Sequence, residues 1–516
     1  MRRHRRSVCA TGVAALAAAA AAAGVVVAAV SDAVAATADA SSAGPCGDAP
    51  VAPRHRVAVL GAGVAGATVA RGLAAAGVKD VVILEGGAAV GGRLRQVPLG
   101  NVSVEIGANW MQGYKDENSF SDYVSSVGLQ GVPTEYDSVT LFRADGSPIP
   151  DEEADPLWVA FDIALGATYN LSAALPPNRT MDVAAALLAA GGWEATSPAA
   201  IAIERFGLDF EYAVPASQIS VRDLSPIYAP GTVESDEFFV TDTRGFAVVV
   251  QSLLADAGIS DSSIPSARLR LNTTVMDLHY TSSGVCITTA GGEKMVADYA
   301  VSTFSVGVLQ AAMMVGPTRP AEALSITPPL PMDKQLAIAQ MKLADYVKVW
   351  AMWDEPVLTS DDGEFLVPTS CTEDRWVAVH NLNAVEGTPL SGLNVMLLTA
   401  TSSYGRAIGC QPLSVTAEQI GEVLSNLKGY DVPPPRHVVV GRWREEPRFR
   451  GSYSVVPPGW RDEERVAFNE PAGRLYFAGE AHAEGGVNGY VQGAWNSGLK
   501  TVTEMLAAME AEKEGK

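Results

Sequence analysis

The first residues suited to chemistry form a glycine turn. Residues 56–60 read RVAVL, an apolar run of strand type, and Gly61-Ala-Gly63-Val-Ala-Gly66 follows directly. An Ala-rich helical pattern, ATVARGLAAAG, comes next, and a second apolar run over 81–84 ends on Glu85. Strand, glycine turn, helix, strand and acid is the order of a dinucleotide-binding unit. Gly61, Gly63 and Gly66 allow a tight turn and a close approach of backbone to a pyrophosphate. The free N–H groups of the helix then face the phosphates, and Glu85 can accept hydrogen bonds from a ribose. Shortly afterwards, Gly91-Gly92-Arg93 offers a second close approach at Gly92 and a cation at Arg93 to neutralise another phosphate.

These residues need a scaffold larger than one unit. The chain has 516 residues, 48% hydrophobic and 18% charged, which predicts a globular protein of two or more domains. Residues 151–215 have helical apolar spacing, interrupted at Pro176-Pro177, and residues 268–304 alternate like strands. Pro- and Gly-rich stretches at 316–332 and 432–436 mark crossings between domains. A net charge of -21 argues against nucleic acid as a partner and suits either solubility or the attraction of cations.

The chain opens MRRHRR, then runs uncharged and Ala/Val-rich from Thr11 to Val30, with small-residue cleavage sites after it. Residues 1–40 are expected to be a secretory signal peptide, with an uncleaved anchor or an organelle leader as the alternatives. No later run is long enough to span a bilayer, so no stable membrane span is expected once the leader is removed. Sequons at Asn101, Asn170, Asn178 and Asn272 suit a secretory route. Four cysteines follow the leader, none with the spacing of a metal site, and one bridge, Cys371 with Cys410, is an option that the spacing leaves open. The sequence also leaves the oligomeric state open.

LEGGAAVGGRL followed by VEIGANW resembles the flavin-containing amine oxidases. A far segment, Arg474-Leu-Tyr-Phe-Ala-Gly479-Glu480 with Asn488-Gly489-Tyr490-Val-Gln-Gly493-Ala494, agrees, as does Ala344-Asp-Tyr346-Val-Lys348-Val. Within that family the chain is similar to plant-type extracellular polyamine oxidases, through GANW, Asp209-Phe-Glu211-Tyr, Asp242-Thr-Arg244-Gly245-Phe and Gly451-Ser-Tyr453-Ser. The resemblance implies an α/β fold of two interleaved domains. A Rossmann-like FAD domain would use 54–137, 241–315 and 441–506. A substrate domain of mixed sheet and helices would use 138–240 and 316–440.

The resemblance also implies roles. FAD would be held by Gly61, Gly63, Gly66, Glu85, Gly92, Arg93, Gly107, Ala108, Asn109, Trp110, Val275, Trp443, Gly479, Glu480, Tyr490 and Val491. It would be non-covalent, because Ala481-His482-Ala483-Glu484 lacks a cysteine. Lys348 would sit beside the flavin and handle water or protons. Tyr453 and Tyr490 would flank a slot for an extended amine, and Glu211 would pair with a distal ammonium. The implied reaction oxidises the carbon next to nitrogen in spermine or spermidine, with O2 giving H2O2, an aldehyde and a shorter amine. An oxidase of a monoamine or an amino acid is the alternative. One position departs from the pattern: Asn109-Trp110-Met111-Gln112-Gly113 has a neutral amide at Gln112 where polyamine oxidases carry a tunnel glutamate. Gln112→Glu is therefore expected to lower the KM for spermine.

Overall fold

The computed structural model describes residues 46, 53–113, 119–134, 136, 138–176, 179–225, 237–259, 268–369 and 376–514. The leader expected over 1–40, and the sequon at Asn178, lie outside the described residues.

β1 (Arg54–Leu60) buries Val57, Ala58, Val59 and Leu60 completely. Its two neighbours are both parallel: β2 (Val81–Leu84) on one edge and Lys294–Ser302 on the other. A parallel strand covered on both faces must be apolar at successive positions, which is why RVAVL and VVIL do not alternate. Between β1 and β2 runs α1 (Val64–Ala75), which packs on the C-terminal helix Val491–Lys513. Small residues permit the approach: a Cβ on Gly72 would lie 2.9 Å from Val502, and one on Gly498 would lie 3.0 Å from both the Ala65 carbonyl and Thr68.

The eight-stranded sheet runs Ser325–Thr327, Val275–Tyr280, Val285–Thr289, Lys294–Ser302, β1, β2, Leu269–Arg270, with Leu475–Phe477 also pairing in parallel with Lys294–Ser302. The alternating region 268–304 thus supplies four of its strands. A six-stranded sheet runs His437–Val440, Tyr346–Met352, Val395–Thr401, Ala378–Asn381, Phe365–Pro368, Val139–Phe142. Its pairings are antiparallel except the last, which is parallel. A small three-stranded sheet joins Trp110–Met111, Phe238–Val240 and Gly131–Pro133. The predicted helical region contains helices Asp151–Ala174, Val183–Gly191 and Pro198–Glu204. The fold class is α/β.

The disulfide differs from the pairing considered from the sequence. Cys46 bonds to Cys286 on strand Val285–Thr289, with Cα atoms 5.2 Å apart. Cys410 is an exposed free thiol whose Sγ donates to Glu445 at 3.1 Å, and Cys371 lies outside the described residues. Spacing along the chain carries no information about this pair, which is separated by 240 residues in sequence and is joined through the sheet. Among the described residues, no helix is long and apolar enough to cross a membrane.

Candidate functional site: a cavity between two sheets

One cavity of about 560 Å³ gathers nearly every residue singled out above. At one end is the glycine cradle. Gly61 has φ +116, and a Cβ there would strike Thr303 Oγ1. A Cβ on Gly66 would fall on the Gly61 carbonyl, and one on Gly107 on the Arg93 carbonyl, so these positions exclude any side chain. Gly92, at φ +63, brings the second turn against the first: its Cβ would lie 3.3 Å from Gly63 Cα. No side chain caps α1 at Gly63. Its first N–H groups therefore remain for an anion, and Gly63, Val64 and Ala65 line the cavity. Glu85 is locked beside the turn, its two oxygens accepting from Ala62 N at 2.8 Å and Gly87 N at 2.6 Å. The cradle fits a dinucleotide.

Arg93 lines the cavity and has protein partners of its own. Its Nη1 donates to Glu480 at 2.7 Å and to the Ser452 carbonyl at 2.9 Å. Glu480 also accepts from Gly489 N at 3.1 Å and from the Ser454 hydroxyl. The guanidinium therefore neutralises a buried carboxylate and stitches the first part of the chain to the last, alongside any service to a phosphate. Gly479 leads into Glu480 at φ +143, its N–H donating to Ser497. Val275, Trp443, Tyr490 and Val491 line the same cavity, and Trp443 Nε1 donates to the Ile106 carbonyl at 2.9 Å. Among the described residues no cysteine lines it. His482 is buried in the wall, stacked on Phe468 with Nδ1 at 3.0 Å from Asn469 Oδ1.

Lys348 also lines the cavity, on strand Tyr346–Met352 and 4% exposed. Nζ donates to the Gly107 carbonyl at 2.7 Å and to Asn109 Oδ1 at 3.2 Å, and it stands 4.8 Å from the Trp110 ring centre. Asn109 is held in turn through Nδ2 to the Val240 carbonyl, and Trp110 through Nε1 to Thr134. Burial pulls the Lys348 ammonium down to about 7, against an opposing pull from Glu105. Glu105 is itself pushed up by burial. Phe246 N–H bonds one of its oxygens at 2.7 Å; the other has no hydrogen-bond partner among the described residues. The DTRGF segment, matched from sequence, is thus a structural clasp: Asp242 is ion-paired to Arg244, and Phe246 is tied to Glu105.

Acids and aromatic rings line the cavity too. A π-helical turn, Arg205–Asp209, precedes the short helix Phe210–Tyr212 and delivers Phe210, Glu211 and Tyr212 into the lining. Such turns re-aim side chains at functional positions. Tyr453 is half-buried, its hydroxyl donating to the Glu211 carbonyl at 2.6 Å and its ring 5.9 Å from Tyr346. Ser452 Oγ clamps this segment to the lysine strand, accepting from Tyr346 N and donating to Tyr346 O, each at 2.9 Å. The Tyr453 ring also packs on Gly489, beside Tyr490. Burial and then the Glu211 carboxylate raise the Tyr490 phenol well above its ordinary value. Burial also raises Tyr346 and Tyr453, with Glu211 again contributing. Gln112 lines the cavity, half-buried.

Sequence reasoning missed Tyr136, Glu237 and Tyr346, all of which line the cavity. Tyr136 donates through its hydroxyl to Glu237 and stacks on Phe365 at 5.6 Å. The available signal was an acid placed directly before a short apolar strand, EFFV, but its meaning depends on which strand it faces.

The chain matches the family model described as flavin containing amine oxidoreductase over residues 64–506. It is 31% identical to polyamine oxidase 7 of Oryza sativa subsp. japonica over 86% of this chain and 94% of that protein. To polyamine oxidase 1 of Zea mays it is 28% identical over 87% of this chain and 90% of that one. A solved structure of an engineered putrescine oxidase superposes with a TM-score of 0.69, at 17% identity, over 88% of this chain and 99% of that one, a likeness of fold. With the family match spanning most of the chain and the cradle, lysine and acids meeting in one cavity, this protein belongs to the flavin containing amine oxidoreductases.

Proposed function

We propose that the protein oxidises polyamines of the spermine and spermidine class with FAD and O2. The observation that carries this reading is the single cavity that joins a dinucleotide cradle, a buried lysine and an acid-and-tyrosine end. The likeness to rice and maize polyamine oxidases supports it. When bound, FAD supplies a two-electron acceptor for the carbon next to nitrogen, which O2 regenerates with release of H2O2.

The chain's own residues do the rest. Gly61 and Gly63 with the start of α1 would hold the phosphates, Gly66 lets the helix pack on the Gly61 carbonyl, and Glu85 would hold a ribose. Trp443, Trp110 and Gly107 wall the ring system. The tyrosines around Glu211 guide an extended cation and exclude water. Glu211 anchors a distal ammonium and so sets which C–N bond reaches the reacting end. Lys348, lowered to about 7, is able to hold or release a proton at Nζ near neutral pH. The division into a cofactor domain (54–137, 241–315, 441–506) and a substrate domain (138–240, 316–440) is part of the same reading. One adjustment follows from strand Ser325–Thr327, which extends the cofactor-side sheet. Export through the secretory route is supported by the leader and by the Cys46–Cys286 bridge, because disulfides persist in oxidising compartments.

The test is peroxide release by the purified, leaderless protein. Spermine and spermidine should give H2O2 at rates well above a simple aryl monoamine. Turnover of the monoamine alone would move the assignment to another amine.

A further inference from the structure

The cavity wall around Glu85 holds an arginine that neither the glycine turn nor the family motifs point to. Arg448, Glu446, Gly86 and Thr274 line the cavity together with Glu85. Two glycines show how close the arginine comes. A Cβ on Gly86 would lie 3.3 Å from Thr274 Oγ1 and 3.4 Å from Arg448 Cδ. A Cβ on Gly87 would lie 2.8 Å from Arg448 Nη1 and 2.9 Å from Glu85 Oε1. Because residue 87 has no side chain, the guanidinium and the Glu85 carboxylate flank one point.

The side chain is held in place by the protein itself. Glu446 takes it as a fork, accepting from Nε at 2.8 Å and from Nη2 at 2.7 Å. Such two-point pairs fix the plane of a guanidinium as well as its charge. Glu446 also has Arg95 3.6 Å away, and the Arg95 guanidinium lies over Trp443 at 5.2 Å. Nη1 is the terminal nitrogen with no bond to Glu446, and it is the one beside Glu85. The two Glu85 oxygens accept from Ala62 N and Gly87 N, and a carboxylate offers about four lone-pair sites. A donor and an acceptor therefore stand side by side. That pair suits a ribose, whose hydroxyls each give and receive a hydrogen bond. A phosphate, which only accepts, would meet the Glu85 carboxylate unpaired.

We propose that Arg448 is a cofactor-binding residue: its Nη1 donates to the adenosine ribose of FAD while Glu85 accepts from the same ribose, and Glu446 sets the plane of the guanidinium. The adenosine half is thereby gripped by residues from the first and the last parts of the chain. The flavin half has no share in this contact, so Arg448 favours FAD over a flavin that lacks adenosine. The proposal rests on FAD as the cofactor and not on the choice of amine, so rejection of the polyamine reading would leave it standing.

The experiment is a dilution series of the flavin-loaded protein, with released FAD followed by its fluorescence to give a Kd. The flavin-free protein is titrated alongside with ADP, which carries the adenosine half, and with FMN, which carries the flavin half. The variants are Arg448→Ala, Arg448→Lys and Glu446→Gln, each with the Tm of its flavin-free form. Arg448→Ala should weaken FAD and ADP alike, roughly ten- to a hundredfold, the range of a lost charge-assisted bond. FMN should stay within about threefold, less than a bond of that kind is worth. The Tm of the flavin-free protein should not move, because a half-exposed ion pair adds little to stability. Arg448→Lys should fall between wild type and Arg448→Ala, since it keeps the charge and loses the fork. Glu446→Gln should weaken FAD less than Arg448→Ala does. Two results would overturn the proposal: an FAD or ADP Kd unmoved by Arg448→Ala, or an equal loss for ADP and FMN. Should Arg448→Ala fail to fold, Arg448→Lys and Glu446→Gln decide by the same comparison of ADP with FMN.

Discussion

Two lysines in this protein have nearly the same physical environment and different consequences. Lys348 and Lys334 are 4% and 1% exposed, and burial pulls each down to about 7. Each donates Nζ to a backbone carbonyl, Gly107 for Lys348 and Phe468 for Lys334. Each stands over an aromatic ring, Trp110 at 4.8 Å and Phe477 at 4.1 Å. Only Lys348 lines the cavity; Lys334 is packed between helices Met332–Gln340 and Asp462–Asn469. A perturbed titration marks desolvation, and whether it also marks function depends on what the amine faces.

The comparison can be broken by exchanging each lysine for methionine. Lys348→Met should lower kcat by about a hundredfold, within the range of a lost proton-handling group, while flavin stays bound. Lys334→Met should leave kcat unchanged. An equal loss in both would show that burial alone sets the effect.

The next largest difference is in stability. Lys334 has a folded value of about 7 against 10.5 for the ordinary side chain. Between those limits the unfolded chain binds a proton that the folded chain does not. Wild-type stability therefore rises with pH across that window, by about 1.4 kcal/mol per pH unit. Lys334→Met removes that dependence. Its advantage over wild type in denaturant melts should be largest at pH 7 and below and should shrink toward pH 10. Lys348→Met should follow the same trend, so the two sites separate in turnover and not in stability.

Smaller effects sharpen the account of Lys348. Asn109→Ala removes one of its two acceptors and should reduce kcat several-fold, the size of one neutral hydrogen bond. The pH profile of kcat should have a limb near 7 in wild type and in Lys334→Met. That limb should be missing in Lys348→Met. A limb that survives in Lys348→Met would assign it to another group.

Some of this was legible in the sequence because it is local. The glycine turn, its helix and Glu85 form within 30 residues, and their pattern states their geometry. Lys348, Tyr453, Tyr490 and Glu211 were reachable through family motifs. The same motifs gave no hint that Arg93 would be paired to Glu480, which arrives from the far end of the chain. For Glu237 the sequence offered only an acid before an apolar run, because the strand that follows it pairs with Trp110–Met111, more than a hundred residues away. The Cys46–Cys286 bridge was hidden for the same reason. What the sequence conceals here is long-range pairing, which no local pattern states.

The most direct test of the central claim is anaerobic mixing of the wild-type protein with spermine, spermidine and an aryl monoamine while the flavin absorbance is followed. Bleaching by spermine and spermidine, with the monoamine leaving the absorbance in place, is the predicted result. Bound flavin that remains unbleached by either polyamine would contradict the account.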